Sequence, residues 1–114
     1  MEYLFVYGLF RDSGKKVLGE CTYCGRAFVM GKLYRVNEFY PGYVPDKNSK
    51  VWGDVYLVNP DNFPQMDEYE GDEYIREQLW TSIDDWCWIY VYKYDISNFT
   101  EITSGDWILR KNSF

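Results

Sequence analysis

The sequence predicts a small α+β protein: a closed or nearly closed β-barrel of five to seven strands with one short helix near residues 60–70. Aromatic residues make up 21% of the 114 residues, with 12 Tyr, 7 Phe and 5 Trp. Large flat side chains pack well on a pleated sheet, so this composition favours β-structure. The strongest strand signals also have two apolar faces, and a barrel or a covering helix can bury both. The length fits one domain, which we expect to span residues 1–114.

The N-terminal half carries three strand signals. Residues 2–7 form an apolar run that ends at Gly8, which predicts a first strand followed directly by a loop. Residues 26–36 are rich in β-forming side chains broken at Gly31, which predicts a long strand bulged or bent at that glycine, or two short strands. Residues 39–45 contain two prolines and a Pro-Gly pair, which is typical of an edge strand or an ordered loop.

A helix is predicted directly after the strand 51–58. Asn59 can cap its N-terminus, and Pro60 suits the first helical position because an N–H group there would have no partner within the helix. The helix should continue to about Tyr69. It should stop at Gly71, since glycine readily adopts the left-handed conformation that ends a helix.

The C-terminal half returns to strand character at 74–83 and again at 86–94. Alternation in the second segment assigns one set of side chains to each face: Trp86, Trp88, Tyr90, Tyr92 and Tyr94 to the first, and Cys87, Ile89, Val91 and Lys93 to the second. A stripe of Trp and Tyr can stack single-stranded bases. No basic groove accompanies this stripe, so we interpret it as core.

Charge, hydropathy and cysteine content indicate which classes of partner and which cellular compartment to expect. A net charge of -6 argues against a phosphate-binding surface, so we expect no nucleic-acid partner. No apolar run is long enough for a membrane helix, and no signal peptide is evident, so we expect a cytoplasmic protein without a membrane partner. Cys21 and Cys24 have the spacing of half a zinc site, but Cys87 is the third and last thiol and the chain has no histidine. We therefore expect no metal and no cofactor.

Glu70 is the candidate catalytic residue. Without histidine, acid–base chemistry near neutral pH must come from a carboxylate, Cys, Lys or Tyr. At 100° per residue, Glu70 lies within about 20° of Phe63 and close to Met66 on the predicted helix, whereas Glu68 points roughly the opposite way. Partial desolvation on an apolar stripe raises a carboxyl pKa toward the range needed for proton transfer. The alternative is that the acidic run 67–73 is simply a solvated face.

Five motifs resemble one known family. Phe5-Val6-Tyr7-Gly8-Leu9-Phe10-Arg11 resembles the Val-Tyr-Gly-Thr-Leu-Arg signature of the gamma-glutamylcyclotransferase-like (AIG2-like, BtrG-like) proteins. Stretches similar to the family's other motifs follow in the same order: 31–34 with 40–42, 51–56, 66–71 with 74–76, and 104–107. Each motif is weak alone, but five in order across nearly the whole chain are specific.

The resemblance implies a small mixed β-barrel with flanking short helices and a pocket between the first loop and a catalytic glutamate, Glu70. The implied activity converts a small-molecule γ-glutamyl amine or peptide to 5-oxoproline and a free amine. Tyr7 would form a wall of the pocket. The backbone around Gly8, Leu9 and Phe10 would bind the glutamyl carboxylate or the developing oxyanion.

The chain departs from the family pattern at Leu9, where the family has threonine, and at Phe10, which replaces a leucine. A hydroxyl contact made by that threonine is therefore lost. This departure favours the alternative function, a noncatalytic small-molecule-binding or protein-interaction module on the same fold. Tyr74 and Arg76 match the family's tyrosine-x-arginine pair, and we interpret them as strand and packing residues, with a substrate contact by Arg76 as the alternative.

Overall fold

The fold consists of six strands and one α-helix. The computed structural model describes residues 1–8 and 15–112. The strands and the helix are β1 (Glu2–Val6), β2 (Cys21–Arg35), β3 (Pro41–Val58), α1 (Phe63–Glu70), β4 (Tyr74–Trp80), β5 (Trp86–Tyr92) and β6 (Thr100–Glu101). Short 3-10 helices cover Lys15–Leu18, Pro60–Asn62 and Trp107–Asn112. None of the helices in these described ranges is long and apolar enough to cross a membrane.

The strands form one mixed sheet in the order β4-β5-β1-β3-β2-β6. β1 pairs with β5 in parallel, and the other neighbouring strands pair antiparallel. The sheet curls into a half-barrel, so the predicted α+β class and strand number are confirmed. Within the described residues the edge strands β4 and β6 do not pair with each other, and β6 has only two residues with which to extend the sheet.

β2 and β3 are the longest strands and pair along their whole length, with two irregularities. β2 begins at Cys21, five residues before the predicted start at Arg26. An extra residue at Cys24 bulges the strand and breaks the alternation of its side chains, so the sequence pattern does not show this first part as a strand. The irregularity predicted at Gly31 is present as a shift in the register between β2 and β3. Met30 pairs with Lys50 and Gly31 pairs with Pro45, so residues 46–49 of β3 have no partner on β2. The first part of β3, Pro41 to Pro45, pairs with β2 beyond the end of β1, in keeping with its predicted edge character.

Both faces of the sheet are covered by apolar side chains. One cluster contains Phe5, Tyr7, Ala27, Val29, Leu33, Tyr43, Val51, Val55, Cys87, Ile89, Val91, Ile102 and Trp107. The other lies beneath α1 and contains Leu4, Val6, Leu18, Tyr56, Val58, Phe63, Met66, Tyr74, Tyr90 and Tyr92. The alternation predicted for residues 86–94 is therefore confirmed for the buried part of β5, which ends at Tyr92; Trp86 at its start and Tyr94 beyond its end are exposed.

The helix begins and ends at the predicted signals. The Asn59 side chain accepts a hydrogen bond from the backbone N–H of Asp61 at 3.0 Å, and the first turn is a 3-10 helix that leads into α1. Gly71 ends α1 with φ +83°, and its N–H donates to the Asp67 carbonyl at 3.0 Å. Phe63 and Met66 are buried against the sheet, which fixes the face that α1 presents to the core.

Candidate active site

A small cleft lies where the end of β1, the start of β3 and the end of α1 meet. Its lining residues are Phe5, Val6, Tyr7, Gly8, Tyr40, Pro41, Glu70, Tyr74 and Tyr90. Three of the predicted site residues, Tyr7, Gly8 and Glu70, therefore line one cleft. The other two, Leu9 and Phe10, lie outside the described residues.

Glu70 is the last residue of α1 and is half-buried at the cleft. Burial raises the pKa of its carboxyl from 4.5 to about 7, because an ionised carboxylate loses hydration there. Glu68, two residues earlier, is exposed. The helix thus directs these two carboxyls to different environments.

Tyr7 forms a buried wall of the cleft. Its hydroxyl donates to the Tyr90 carbonyl at 2.6 Å and accepts from the Tyr43 N–H at 3.3 Å. Burial, followed by the nearby Tyr74 and Glu70, raises the pKa of its phenol well above the ordinary value. Tyr7 is therefore a neutral, fixed side chain at physiological pH.

The opposite wall is held by Tyr74 and Pro41. The Tyr74 hydroxyl donates to the Pro41 carbonyl at 2.5 Å, which ties β4 to the start of β3. Burial raises the pKa of Tyr74, so this hydroxyl is also neutral. Gly8 passes close to the same proline: a Cβ atom at Gly8 would lie 2.9 Å from Pro41 Cδ. Glycine is needed at this position because the space for a side chain is already filled.

A second group of side chains lies beside the cleft and joins α1 to the sheet. Asp67 accepts two hydrogen bonds from Arg76, at 2.9 Å from Nε and 3.2 Å from Nη2, and one from the Tyr90 hydroxyl at 2.6 Å. Burial would raise the pKa of Asp67, but these donors outweigh it and hold that pKa below its ordinary value. The Arg76 guanidinium also packs against the rings of Phe63 and Trp88, at 4.0 and 4.7 Å from their centroids.

The family model for gamma-glutamyl cyclotransferase, AIG2-like, matches residues 4–109. The chain belongs to this family. A family member from Citrobacter rodentium, the gamma-glutamylcyclotransferase family protein ytfP, is 30% identical over 116 residues, which cover 94% of this chain and 96% of that protein. The resemblance drawn from the five motifs is confirmed.

Solved structures in the same family share the fold. The solution structure of ytfP from Escherichia coli has a TM-score of 0.74 at 30% identity and covers 96% of this chain and 98% of its own. The crystal structure of an AIG2-like protein from Mus musculus has a TM-score of 0.69 at 22% identity, with 86% and 90% covered. The half-barrel with one short helix is thus the family architecture.

Sequence reasoning missed several cleft residues. The sequence predicts a core role for Tyr90 and strand packing for Tyr74. Both side chains are buried, yet each also lines the cleft. Alternation identifies a buried face but not the point at which that face meets an opening. Tyr40 and Pro41 belong to a motif of the family, and only the folded sheet brings that motif beside Gly8.

The carboxyl at this site is suited to proton transfer. Among residues 1–8 and 15–112, no three His, Cys, Asp or Glu side chains are grouped to hold a metal ion. A carboxyl with a pKa near 7 is present in comparable amounts as acid and as base at neutral pH. Such a group can remove a proton from a substrate and return it within one turnover.

Proposed function

We propose that this family member is a γ-glutamylamine or γ-glutamyl-peptide cyclotransferase in which Glu70 is the general acid–base. The observation that carries the proposal is the half-buried carboxyl of Glu70, with its raised pKa, in the cleft that Tyr7 and Gly8 also line. Membership of the gamma-glutamyl cyclotransferase, AIG2-like family supports the reaction class.

The proposed reaction is an intramolecular aminolysis. The α-amino nitrogen of the γ-glutamyl group attacks its own side-chain amide carbon and forms a new C–N bond that closes a five-membered ring. The original amide C–N bond breaks, and the products are 5-oxoproline and a free amine. Because nucleophile and electrophile belong to one molecule, folding the substrate into the attacking geometry supplies much of the acceleration.

Glu70 would move one proton in this reaction. The α-amino group attacks as the neutral amine; as the carboxylate Glu70 takes one proton from this nitrogen as the C–N bond forms, and as the acid it gives that proton to the departing amine. The carboxyl starts and ends each turnover ionised, so the proton balance closes without water, metal or cofactor. A pKa of about 7 suits both halves of the cycle better than the ordinary value of 4.5.

The remaining cleft residues would bind and orient the substrate. Backbone N–H groups at Gly8, and at Leu9 and Phe10 after it, would bind the glutamyl α-carboxylate or the oxyanion that develops on the amide oxygen. Tyr7 supplies a neutral wall, because its raised pKa keeps the phenol protonated at physiological pH. We assign the activity to a reducing compartment, the cytoplasm, because Cys21, Cys24 and Cys87 are all free thiols.

The test is the identity of the products. The purified protein is incubated with a panel of γ-glutamyl amines and γ-glutamyl dipeptides, and 5-oxoproline, glutamate and free amine are quantified by mass spectrometry. We expect 5-oxoproline and amine in equal amounts and no enzymatic release of glutamate. Glutamate as the main product would instead make the protein an amide hydrolase and remove the cyclisation mechanism.

The alternative function, a noncatalytic binding or interaction module, is favoured by one observation, the leucine at position 9. If the family's threonine acts through its hydroxyl group, Leu9 abolishes turnover while binding is retained. The discriminating variant is Leu9→Thr. A wild type that binds γ-glutamyl compounds by calorimetry without converting them, and a Leu9→Thr variant that releases 5-oxoproline, would establish the binding module.

A further inference from the structure

We infer that Arg76 is a positioning residue that fixes Glu70 over the cleft by holding α1 against the sheet, and that it does not contact the substrate. The inference rests on the proposed role of Glu70. Arg76 lies outside the cleft lining, and its sequence motif alone is compatible with either packing or substrate contact.

The Arg76 side chain is fully engaged by neighbouring residues. Its guanidinium makes a two-point contact with Asp67, from Nε and Nη2, and lies over the rings of Phe63 and Trp88. The side chain is only 22% exposed. A guanidinium used in this way has its planar fork already matched to a carboxylate, so it is poorly placed to bind a substrate carboxylate as well.

These contacts hold both ends of α1. Phe63 is the first residue of the helix and Asp67 lies one turn from its end. The carbonyl of Asp67 also accepts the N–H of Gly71, the residue that ends the helix. In the chain, Glu70 therefore lies between Asp67, which Arg76 holds, and Gly71, whose N–H is bonded to Asp67. A shift or rotation of the last turn would need the bond from Arg76 to break.

Tyr90 connects this anchor to the cleft. The Tyr90 hydroxyl donates to Asp67, and the Tyr90 backbone carbonyl accepts from the Tyr7 hydroxyl. The side chain and the backbone of Tyr90 thus link Arg76 and Asp67 on one side to Tyr7 in the cleft wall on the other. Arg76 thereby fixes the position of α1 relative to the same sheet residues that form the cleft.

The test replaces Arg76 by lysine and follows Glu70 directly. Arg76→Lys keeps the positive charge but cannot make the two-point contact or stack as a planar group. The pKa of Glu70 is measured by carbon NMR of the labelled carboxyl, assigned by its loss in Glu70→Gln. The residues that face this carboxyl, Tyr7, Tyr74 and Tyr90, are unchanged in the variant.

A matched control is available elsewhere in the fold. Arg26 also pairs with an aspartate, Asp106, at 3.0 Å and also lies over a tryptophan, Trp52, at 4.6 Å from the ring centroid. Neither Arg26 nor its partners line the cleft. Arg26→Lys therefore removes the same type of interaction and is expected to leave the Glu70 titration and the turnover rate unchanged.

We expect the Glu70 pKa to fall from about 7 toward 4.5 in Arg76→Lys, and kcat to fall about 10- to 100-fold with KM within about twofold. Asp67→Asn should give the same result and replaces the lysine variant if that variant does not fold. An unchanged Glu70 pKa in a folded variant, or a raised KM with unchanged kcat, would overturn the inference. The NMR readout needs no turnover. A shifted Glu70 in a protein inactive on every γ-glutamyl compound would thus remove the proposed function and keep the anchor.

Discussion

Replacing Glu70 with glutamine should stabilise the folded protein at alkaline pH. The carboxyl has a pKa of about 7 when folded and an ordinary value of 4.5 when unfolded, because burial disfavours its charged form. The folded state binds the Glu70 proton more tightly than the unfolded state does. This difference stabilises the fold fully below pH 4.5, and the stabilisation is lost as the pH rises through 7. Above pH 7 wild type carries an ionised, half-buried carboxylate, whereas the glutamine variant carries a neutral amide of similar size.

The size of this effect follows from the two pKa values. Each tenfold change in an equilibrium constant corresponds to about 1.4 kcal/mol, so the full difference corresponds to about 3 kcal/mol. Solvent screening of a half-buried group reduces it, and we expect Glu70→Gln to be about 1–3 kcal/mol more stable than wild type at pH 8. By linkage the gap should shrink to roughly a quarter of that value by pH 5.

The assay is urea-induced unfolding of both proteins at pH 5, 6, 7 and 8. The exposed Glu68 supplies the control, since Glu68→Gln should change the free energy of unfolding by less than about 0.5 kcal/mol at every pH. A gap that does not depend on pH, or a wild type as stable as Glu70→Gln at pH 8, would show that the carboxyl is solvated and refute the reasoning.

Three further predictions concern the cleft. The acid limb of the pH profile of kcat/KM should lie near pH 7, the pKa of Glu70, and a limb near 4.5 would contradict the assignment of the base. Tyr7→Phe should cost about 1–3 kcal/mol in urea unfolding because two buried peptide groups lose their partner, whereas the exposed Tyr94→Phe should change little. Gly8→Ala places a methyl group 2.9 Å from Pro41 and should raise KM without loss of the thermal transition; an unchanged KM would exclude Gly8 from substrate binding.

The features of the fold that could be predicted are those set by local chemistry. Asn59 and Pro60 predict the start of the helix and Gly71 predicts its end. These signals can be read from the sequence because a cap interacts only with residues a few positions away. The helical period likewise separates Glu70 from Glu68 before any tertiary contact is known, since 100° per residue fixes which side chains share a face.

The features that could not be predicted depend on contacts between distant elements. The parallel pairing of β1 with β5 and the early start of β2 at Cys21 follow from the way the sheet assembles. Asp67 and Arg76 belong to different elements, and nothing in their spacing indicates a two-point ion pair. Tyr90 satisfies the pattern of a core strand, and its second role arises only because the cleft opens at that point.

The most direct test of the central claim is the rate of 5-oxoproline release by wild type, Glu70→Gln and Glu68→Gln on the best accepted γ-glutamyl substrate. Glutamine keeps the size and the hydrogen bonding of Glu70 but cannot transfer a proton at neutral pH. We predict that Glu70→Gln loses at least about 10²–10⁴-fold in kcat with substrate binding largely kept, and that Glu68→Gln matches wild type. Equal rates for wild type and Glu70→Gln would contradict the account.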